Sequence, residues 1–177
     1  EIGAYCDFGL EAKVGATIEV SDAKYATFVA PFDVDFTGAE VTANAATFDG
    51  TYVQLAPVTT VPAGTAVVVK AEEGKYAVAK TTDATLAVDN ELKAATAEVT
   101  ADGAQYILAK VDDKVGFFKA TGTIAAGKGY LELVSAVKAF YPFFGEDATG
   151  INDLNGVNDL NDAAIYNVPG QRVSKLQ

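Results

Sequence analysis

Histidine is absent from this chain of 177 residues, and so are methionine and tryptophan. Serine and cysteine are scarce as well, with three serines and a single cysteine, Cys6. A serine or cysteine nucleophile usually passes its proton to a histidine, so most such catalytic arrangements are excluded. Zinc sites built on histidine or paired cysteines are excluded for the same reason. We expect no catalytic residue, no metal site and no cofactor.

Basic residues and long apolar segments are also scarce. The 13 basic residues face 24 acidic ones, the formal net charge is −11, and Arg172 is the only arginine. Binding to nucleic acid needs a clustered basic face, whereas these lysines are scattered, so we expect no nucleic-acid partner. No run approaches the roughly 20 apolar residues of a spanning helix, so we expect a soluble protein without a membrane span.

The N-terminal residues offer little chemistry. Cys6 has no second cysteine for a disulfide within the chain, so we expect a buried apolar residue, with pairing between chains as the alternative. Residues 1–10, EIGAYCDFGL, lack the basic stretch and apolar stretch of a signal peptide. We expect the full-length protein to begin before Glu1 and to carry any export signal there.

The chain is rich in Ala, Val, Thr, Tyr and Phe, a composition that favours β-sheet. Residues 60–70, TVPAGTAVVVK, return as residues 123–133, TIAAGKGYLEL, with Gly127 lying 63 residues after Gly64. With its flanks, each copy predicts a three-stranded β-meander, over 41–70 and 104–134. The sequence therefore predicts an all-β fold, either a β-sandwich or tandem small barrels built from two repeated β-meanders, followed by a C-terminal linker and strand.

Turn residues refine this prediction. Asp49-Gly50 between alternating runs predicts a type I′ hairpin. Gly64 and Gly127 each lie between a break and a new strand, so we expect positive φ or a close backbone approach at both. Beyond the repeat we expect strands at 14–20, at 24–30 in a central position, at 75–80 and at 137–144. Because Pro142 cannot donate to a ladder, the last of these should lie at an edge or end at the proline. Residues 89–97 predict one helical turn.

Two groups of side chains are candidates for function. Asp33 and Asp35 alternate with apolar residues, so they could bind Ca²⁺ or serve as glycosidase carboxylates, but we favour a solvent-facing strand. We expect acidic residues in turns, such as Asp49, to keep ordinary pKa values. Candidate platforms for stacking on sugar rings are the tyrosines Tyr52, Tyr76, Tyr106, Tyr130 and Tyr141. Sugar binding needs several of these rings exposed and coplanar, whereas aromatics that fill a core are more common.

The C-terminal residues carry a resemblance. Ile165-Tyr166-Asn167 and residues 170–173, GQRV, follow the lead-in DATGI at 147–151. This pattern resembles the tail that ends many secreted and surface proteins of Bacteroides and Prevotella, as in the sorting domains of type IX secretion cargo. The body resembles the same group through YATFVAPF at 25–32. The resemblance implies a cell-envelope or extracellular setting and no established reaction.

These observations lead to one organisation. We expect a β-rich body at 1–144, with halves at 1–80 and 81–144, a linker at 145–163, and the start of a sorting-type segment at 164–177. Residues 164–168 are expected to form a strand that completes its own sheet edge or associates with a second copy. We expect no enzyme but a structural or adhesive module that meets a protein or glycan at the cell surface. The alternatives are a carbohydrate-binding module and, more distantly, a glycosidase.

Overall fold

The computed structural model describes residues 15–145, which form fifteen β-strands and no helix, and therefore no helix able to cross a membrane. The predicted all-β class is confirmed. The strands are β1 (Gly15–Val20), β2 (Tyr25–Val29), β3 (Val34–Asp35), β4 (Thr42–Phe48), β5 (Val53–Val58), β6 (Thr60–Val61), β7 (Ala66–Lys70), β8 (Gly74–Lys80), β9 (Leu92–Ala94), β10 (Val99–Thr100), β11 (Gln105–Val111), β12 (Lys114–Lys119), β13 (Thr123–Ile124), β14 (Gly129–Glu132) and β15 (Phe140–Pro142).

These strands pair into four antiparallel sheets. Sheet A has the order β1-β8-β3-β6 and sheet B the order β2-β7-β4-β5. Sheet C has the order β15-β12-β11-β14-β9, and sheet D consists of β10 and β13. Each sheet ends in two edge strands, so the described residues contain no closed barrel.

The sheets stack in layers, with sheet B buried on both faces. Val67 and Val69 of β7 point into one core together with side chains of sheet A. Val68, the residue between them, points the opposite way into a second core shared with sheet C. Alternate residues of a strand face opposite sides, so an unbroken valine run suits a strand covered twice. A third, smaller core between sheets C and D includes Ile124 and Tyr130.

Two predicted positions within the sheets need correction. The strand at 24–30 is present as β2, but it is the edge of sheet B and not a central strand. The doubly covered strand is β7, because sheet C packs on the face of sheet B that sheet A leaves open. Pro142 does lie on an edge strand, β15, which confirms that prediction. There its missing N–H interrupts no ladder.

The predicted meander connectivity is wrong. In a meander β7 would pair with β5, but it pairs with β4 on the opposite side, which gives the order β5-β4-β7. The chain leaves sheet B at β6, which pairs with β3 of sheet A, and it returns through a turn at 62–65. The second half has the order β12-β11-β14, and β13 pairs with β10 of sheet D.

Two turns with glycine agree with prediction and one does not. Gly64 has φ of 81° and Gly127 of 87°, which confirms the expected positive φ at both. The Asp49-Gly50 turn is not type I′, because four residues separate β4 from β5 and only Gly50 has positive φ. The two-residue turn with two positive φ values is Asp112-Asp113, at 51° and 66°. Aspartate tolerates this region better than most side chains do.

The predicted helical turn at 89–97 is also absent, and β9 runs through this segment instead. The side chain of Asn90 accepts hydrogen bonds from the backbone N–H groups of Ala46 and Leu92 and donates one to the carbonyl oxygen of Ala66. The contacts with Ala46 and Ala66 of sheet B override the local helix propensity. Predictions about Cys6, residues 146–163 and the segment 164–177 lie outside the described residues.

Candidate functional site

A cleft of about 720 Å³ opens where the edge of sheet B lies over sheet C. One wall is formed by the β1–β2 turn and by residues 25–27 of β2. The other wall is formed by residues 107–110 of β11, with residues 123–125 and 128–129 near β13 and β14. The cleft is therefore built from both halves of the body.

Each wall of the cleft includes the edge of a β-strand. The N–H of Ala30 donates to the carbonyl oxygen of Thr65, and the carbonyl oxygen of Ala30 accepts the N–H of Gly64. Every second residue of β2, counted back from Ala30, therefore turns its backbone groups toward β7. The backbone of Thr27 consequently faces away from β7. On the other wall, the ladder between β11 and β14 ends at the pair Ile107–Tyr130. Beyond that pair, residues 109–111 of β11 have no strand beside them on that side within the described chain.

Gly129 sets the distance between the two walls. Its N–H donates to Thr27 Oγ1 at 3.2 Å, a contact between residues 102 positions apart. A Cβ at this position would lie 3.1 Å from Leu92 Cδ2 and 3.2 Å from the Cβ atoms of Ala66 and Thr27. Sheets B and C therefore approach this closely because residue 129 has no side chain.

Charges at the cleft are partly neutralised. Lys110 Nζ on β11 lies 2.9 Å from Asp22 Oδ2 in the β1–β2 turn. The hydrogen bond from Lys110 and its positive charge lower the pKa of Asp22, and the same bond raises the pKa of Lys110. Lys128, also on the cleft, forms no ion pair within residues 15–145. The cleft thus has one cation without a counter-ion in the described chain.

The five candidate tyrosines are not exposed together on one face. Tyr106, Tyr130 and Tyr141 are buried, with 0%, 9% and 2% of their surface exposed. The Tyr106 hydroxyl donates to the carbonyl oxygen of Lys138 at 2.6 Å, and burial raises its pKa. Tyr52 and Tyr76 are half-buried and lie apart, in the β4–β5 loop and on β8 of sheet A. The three buried rings fill the cores between the sheets, so they cannot stack on a sugar.

Asp33 and Asp35 hold loops in place. Asp33 Oδ1 accepts the N–H of Ala63 at 2.9 Å, and its Oδ2 accepts the N–H of Ala84 at 3.2 Å. Asp35 Oδ1 accepts the N–H of Thr37 at 2.7 Å. These backbone bonds lower the pKa of both carboxyl groups. The environment of both groups therefore favours the ionised form, whereas a general acid needs a raised pKa.

One expectation about turn carboxylates is wrong. The pKa of Asp49 is lowered, because its side chain accepts hydrogen bonds from the N–H groups of Tyr52 and Thr51 and from Gln54 Nε2. Exposure to water did not keep its pKa ordinary, since the turn itself aims donors at the carboxylate. Within residues 15–145, no three acidic or sulfur side chains are grouped closely enough to hold a metal ion.

Sequence reasoning missed the cleft residues. Thr27, Lys110 and Lys128 come from strands and turns far apart in the chain, and their meeting depends on how sheet B packs on sheet C. One local signal was present in Gly129, since a glycine inside a strand pattern indicates a close backbone approach. No comparable signal marks Lys110 or Lys128.

The chain was compared with known proteins at the levels of sequence and structure. Comparison with protein-family models, with curated proteins and with solved structures found no match. Function is therefore inferred from the sequence pattern and from the contacts and charges of the described residues.

Proposed function

We propose that this protein is a noncatalytic structural or adhesive module of a secreted or cell-surface bacterial protein. The observation that carries the proposal is the burial of β7 on both faces, which ties sheets A, B and C into one stack. A stack with shared cores resists separation of its layers, as a spacer or adhesive unit requires. The carboxylates of Asp33 and Asp35 accept hydrogen bonds from nearby backbone N–H groups, which argues against a role for them as glycosidase residues.

We further propose that the two halves are copies of one unit. Three pairs of strands begin 63 residues apart: β4 and β11 at 42 and 105, β6 and β13 at 60 and 123, β7 and β14 at 66 and 129. Both halves have the same order of three strands, β5-β4-β7 and β12-β11-β14. Repeated units of this kind suit an architecture that gains length by stacking.

The cellular setting rests on the C-terminal pattern. Ile165-Tyr166-Asn167 and the GQRV motif at 170–173 support export to the cell envelope of a Bacteroides-like or Prevotella-like bacterium. The division into a body at 1–144, a linker at 145–163 and a tail at 164–177 belongs to the same proposal, as does self-association through 164–168. Partners would be proteins or glycans met outside the cell.

A screen for activity tests the noncatalytic role. The purified chain would be assayed against a broad panel of glycosidase substrates and on a glycan array, beside an Asp33→Asn, Asp35→Asn double variant. We expect no turnover by either protein. Turnover by the native chain that vanishes in the double variant would overturn the proposal in favour of a glycosidase. Saturable glycan binding without turnover would favour the carbohydrate-binding alternative.

A further inference from the structure

Strand β1 is an edge of sheet A, and its strand partner within residues 15–145 is β8. The N–H of Thr81 donates to the carbonyl oxygen of Asp33 at 2.8 Å, so the backbone groups of Thr81 face β3. Backbone groups of successive residues face opposite sides, so those of Val78 face β1, where Val78 is paired with Ala16. Ala16 therefore turns its N–H and its carbonyl oxygen toward β8.

Thr17 and Glu19 consequently turn their backbone groups away from β8. No backbone hydrogen bond reaches these groups from within residues 15–145. The side chains of Thr17 and Glu19 are exposed, whereas those of Ile18 and Val20 are buried in the core between sheets A and B. β1 thus has an open row of backbone donors and acceptors beside an apolar inner face.

The other sheet edges of the described chain are interrupted, covered or short. β5 contains Pro57 and β15 contains Pro142, and proline has no N–H to pair with a further strand. β2 is covered by sheet C, which contacts it where the N–H of Gly129 donates to Thr27 Oγ1. The strands β6, β9, β10 and β13 have two or three residues each. β1 is therefore the long, open edge of residues 15–145.

The surroundings of β1 favour a single added segment over a second whole sheet. Lys110 Nζ of β11 lies 2.9 Å from Asp22 Oδ2 in the β1–β2 turn, so sheet C reaches the end of β1. A whole sheet placed against β1 would meet β11 there, whereas one extended segment needs only the spacing of about 4.8 Å between paired strands. Such an added segment binds through its backbone, and its alternate side chains give specificity.

We propose that β1 receives residues 164–168 of a second copy of this chain as an added strand of sheet A. The alternate residues Ala164, Tyr166 and Val168 of this segment are apolar, as are residues 16, 18 and 20 of β1. Paired with β1, they extend the apolar face of sheet A. The inference rests on the self-association proposed above and deepens it by naming the edge that receives the segment.

The charges of the tail, residues 164–177, support this occupant. The tail contains Arg172 and Lys175 and no acidic residue, in a chain whose net charge is −11. At the end of β1, Val20 pairs with the residue after Glu73, and Glu73 forms no ion pair within residues 15–145. A tail that runs parallel to β1 carries Arg172 past Val20 toward Glu73. This attraction favours the parallel orientation, because charges at the rim of an interface set orientation more than affinity.

Amide hydrogen exchange of the full chain, measured by NMR, tests the proposal. In dilute protein we expect the amides of Thr17 and Glu19 to exchange faster than that of Ile18, which lies in the ladder with β8. At concentrations where sedimentation shows association, exchange at Thr17 and Glu19 should slow by about tenfold, the effect of one added hydrogen bond. Association without this slowing would overturn the inference and assign self-association to another edge. Absence of association at every concentration would overturn it as well.

A nitroxide label shows which chain supplies the segment. Unlabelled chain with Cys6→Ala and Ser174→Cys carries the nitroxide and is mixed with isotope-labelled native chain. We expect the NMR signals of Thr17 and Glu19 in the native chain to broaden, and those of β5 and β15 to stay sharp. Broadening that occurs only when nitroxide and isotope are on one chain would show that the tail completes its own β1. That result would overturn pairing between copies.

Two variants at one position of β1 test the receiving edge. Thr17→Pro removes an N–H that faces away from β8, so it leaves the ladder with β8 intact and should abolish the broadening. Thr17→Ala keeps this N–H and should associate as the native chain does. Thermal unfolding of both variants checks that they fold.

A second pair of variants, in the tail, gives the same test without changing the body. Tyr166→Asp places a charge on the apolar face of the segment and should abolish association. Asn167→Asp places the same charge on the opposite face and should change association little. Equal loss in both tail variants would contradict pairing with β1. None of these failures affects the module role, because only hydrolytic activity in the substrate screen contradicts that role.

Discussion

At the scale of single residues, aspartate side chains stabilise the loops of this protein by accepting backbone hydrogen bonds. Asp33, Asp35 and Asp49 each accept at least one N–H, and Asp22 accepts a hydrogen bond from Lys110. The pKa of every one of these carboxyl groups is lowered. The ionised form is therefore favoured in the folded state relative to the unfolded chain.

This preference predicts the direction of acid destabilisation. A lowered folded pKa adds stability that is fully present above the unfolded value of about 3.9 and is lost as the pH falls through the folded value. We expect urea midpoints to be level near neutral pH and to drop below about pH 4. Asp33→Asn should lower the midpoint at neutral pH and lessen the acid-dependent drop. Asp89→Asn, at an exposed residue, is the control, and an unchanged drop in Asp33→Asn would contradict the prediction.

Gly129 gives a second prediction at this scale. An alanine Cβ would meet three side chains at 3.1–3.2 Å, so sheets B and C would have to move apart. We expect Gly129→Ala to lower the free energy of unfolding by about 1–3 kcal/mol, as overpacking does. Lys128→Ala, at the exposed neighbour, should change it by less than about 0.5 kcal/mol. Equal effects in urea titrations of the two variants would show that the close approach of sheets B and C at Gly129 does not determine the free energy of unfolding.

At the scale of elements, Asn90 determines where β9 begins. Its side chain joins β4, β7 and the start of β9 through three hydrogen bonds, to Ala46, Ala66 and Leu92. We expect Asn90→Ala to destabilise the fold by about 1–3 kcal/mol, because it leaves backbone groups without partners. Asp89→Ala changes an exposed neighbour and should have little effect. If thermal unfolding of Asn90→Ala matched that of Asp89→Ala, another contact would have to hold this segment.

The strands themselves were predictable, and their partners were not. Alternation located β1, β4 and β11 within one or two residues, and glycine placement gave the turns at Gly64 and Gly127. The pairing of β7 with β4 depends on β6 crossing to sheet A, a long-range event that no local pattern records. Asn90 was overlooked because helix propensity at 89–97 is local, whereas its three contacts are with distant strands or with β9.

The candidate site was harder to predict than the fold. Tyrosines on a strand can line an exposed face or fill a core, and Tyr106 and Tyr141 face the core between sheets B and C. A period of two shows that a strand has two faces and does not show whether a second layer covers the outer one. The cleft exists only because of that second layer, so its residues could not be found from the sequence.

At the scale of the whole molecule, the two cores on either side of β7 should make residues 15–143 unfold together. Val68 is fully buried between sheets B and C, and the adjacent Val67 and Val69 are buried between sheets A and B. Loss of packing on one face of β7 therefore weakens the strand that also anchors the other core. Coupling of this kind produces a single cooperative transition.

Val68→Ala tests this coupling. The substitution removes two buried methyl groups and should cost about 2 kcal/mol, including the cavity that it leaves. We expect amide exchange to quicken by the same factor in β4 of the first half and in β11 of the second, because both exchange through global unfolding. Val88→Ala, at an exposed valine, is the matched control. If exchange quickened in only one half, or if denaturant unfolding split into two transitions, the halves would be independent folding units joined by a weak interface.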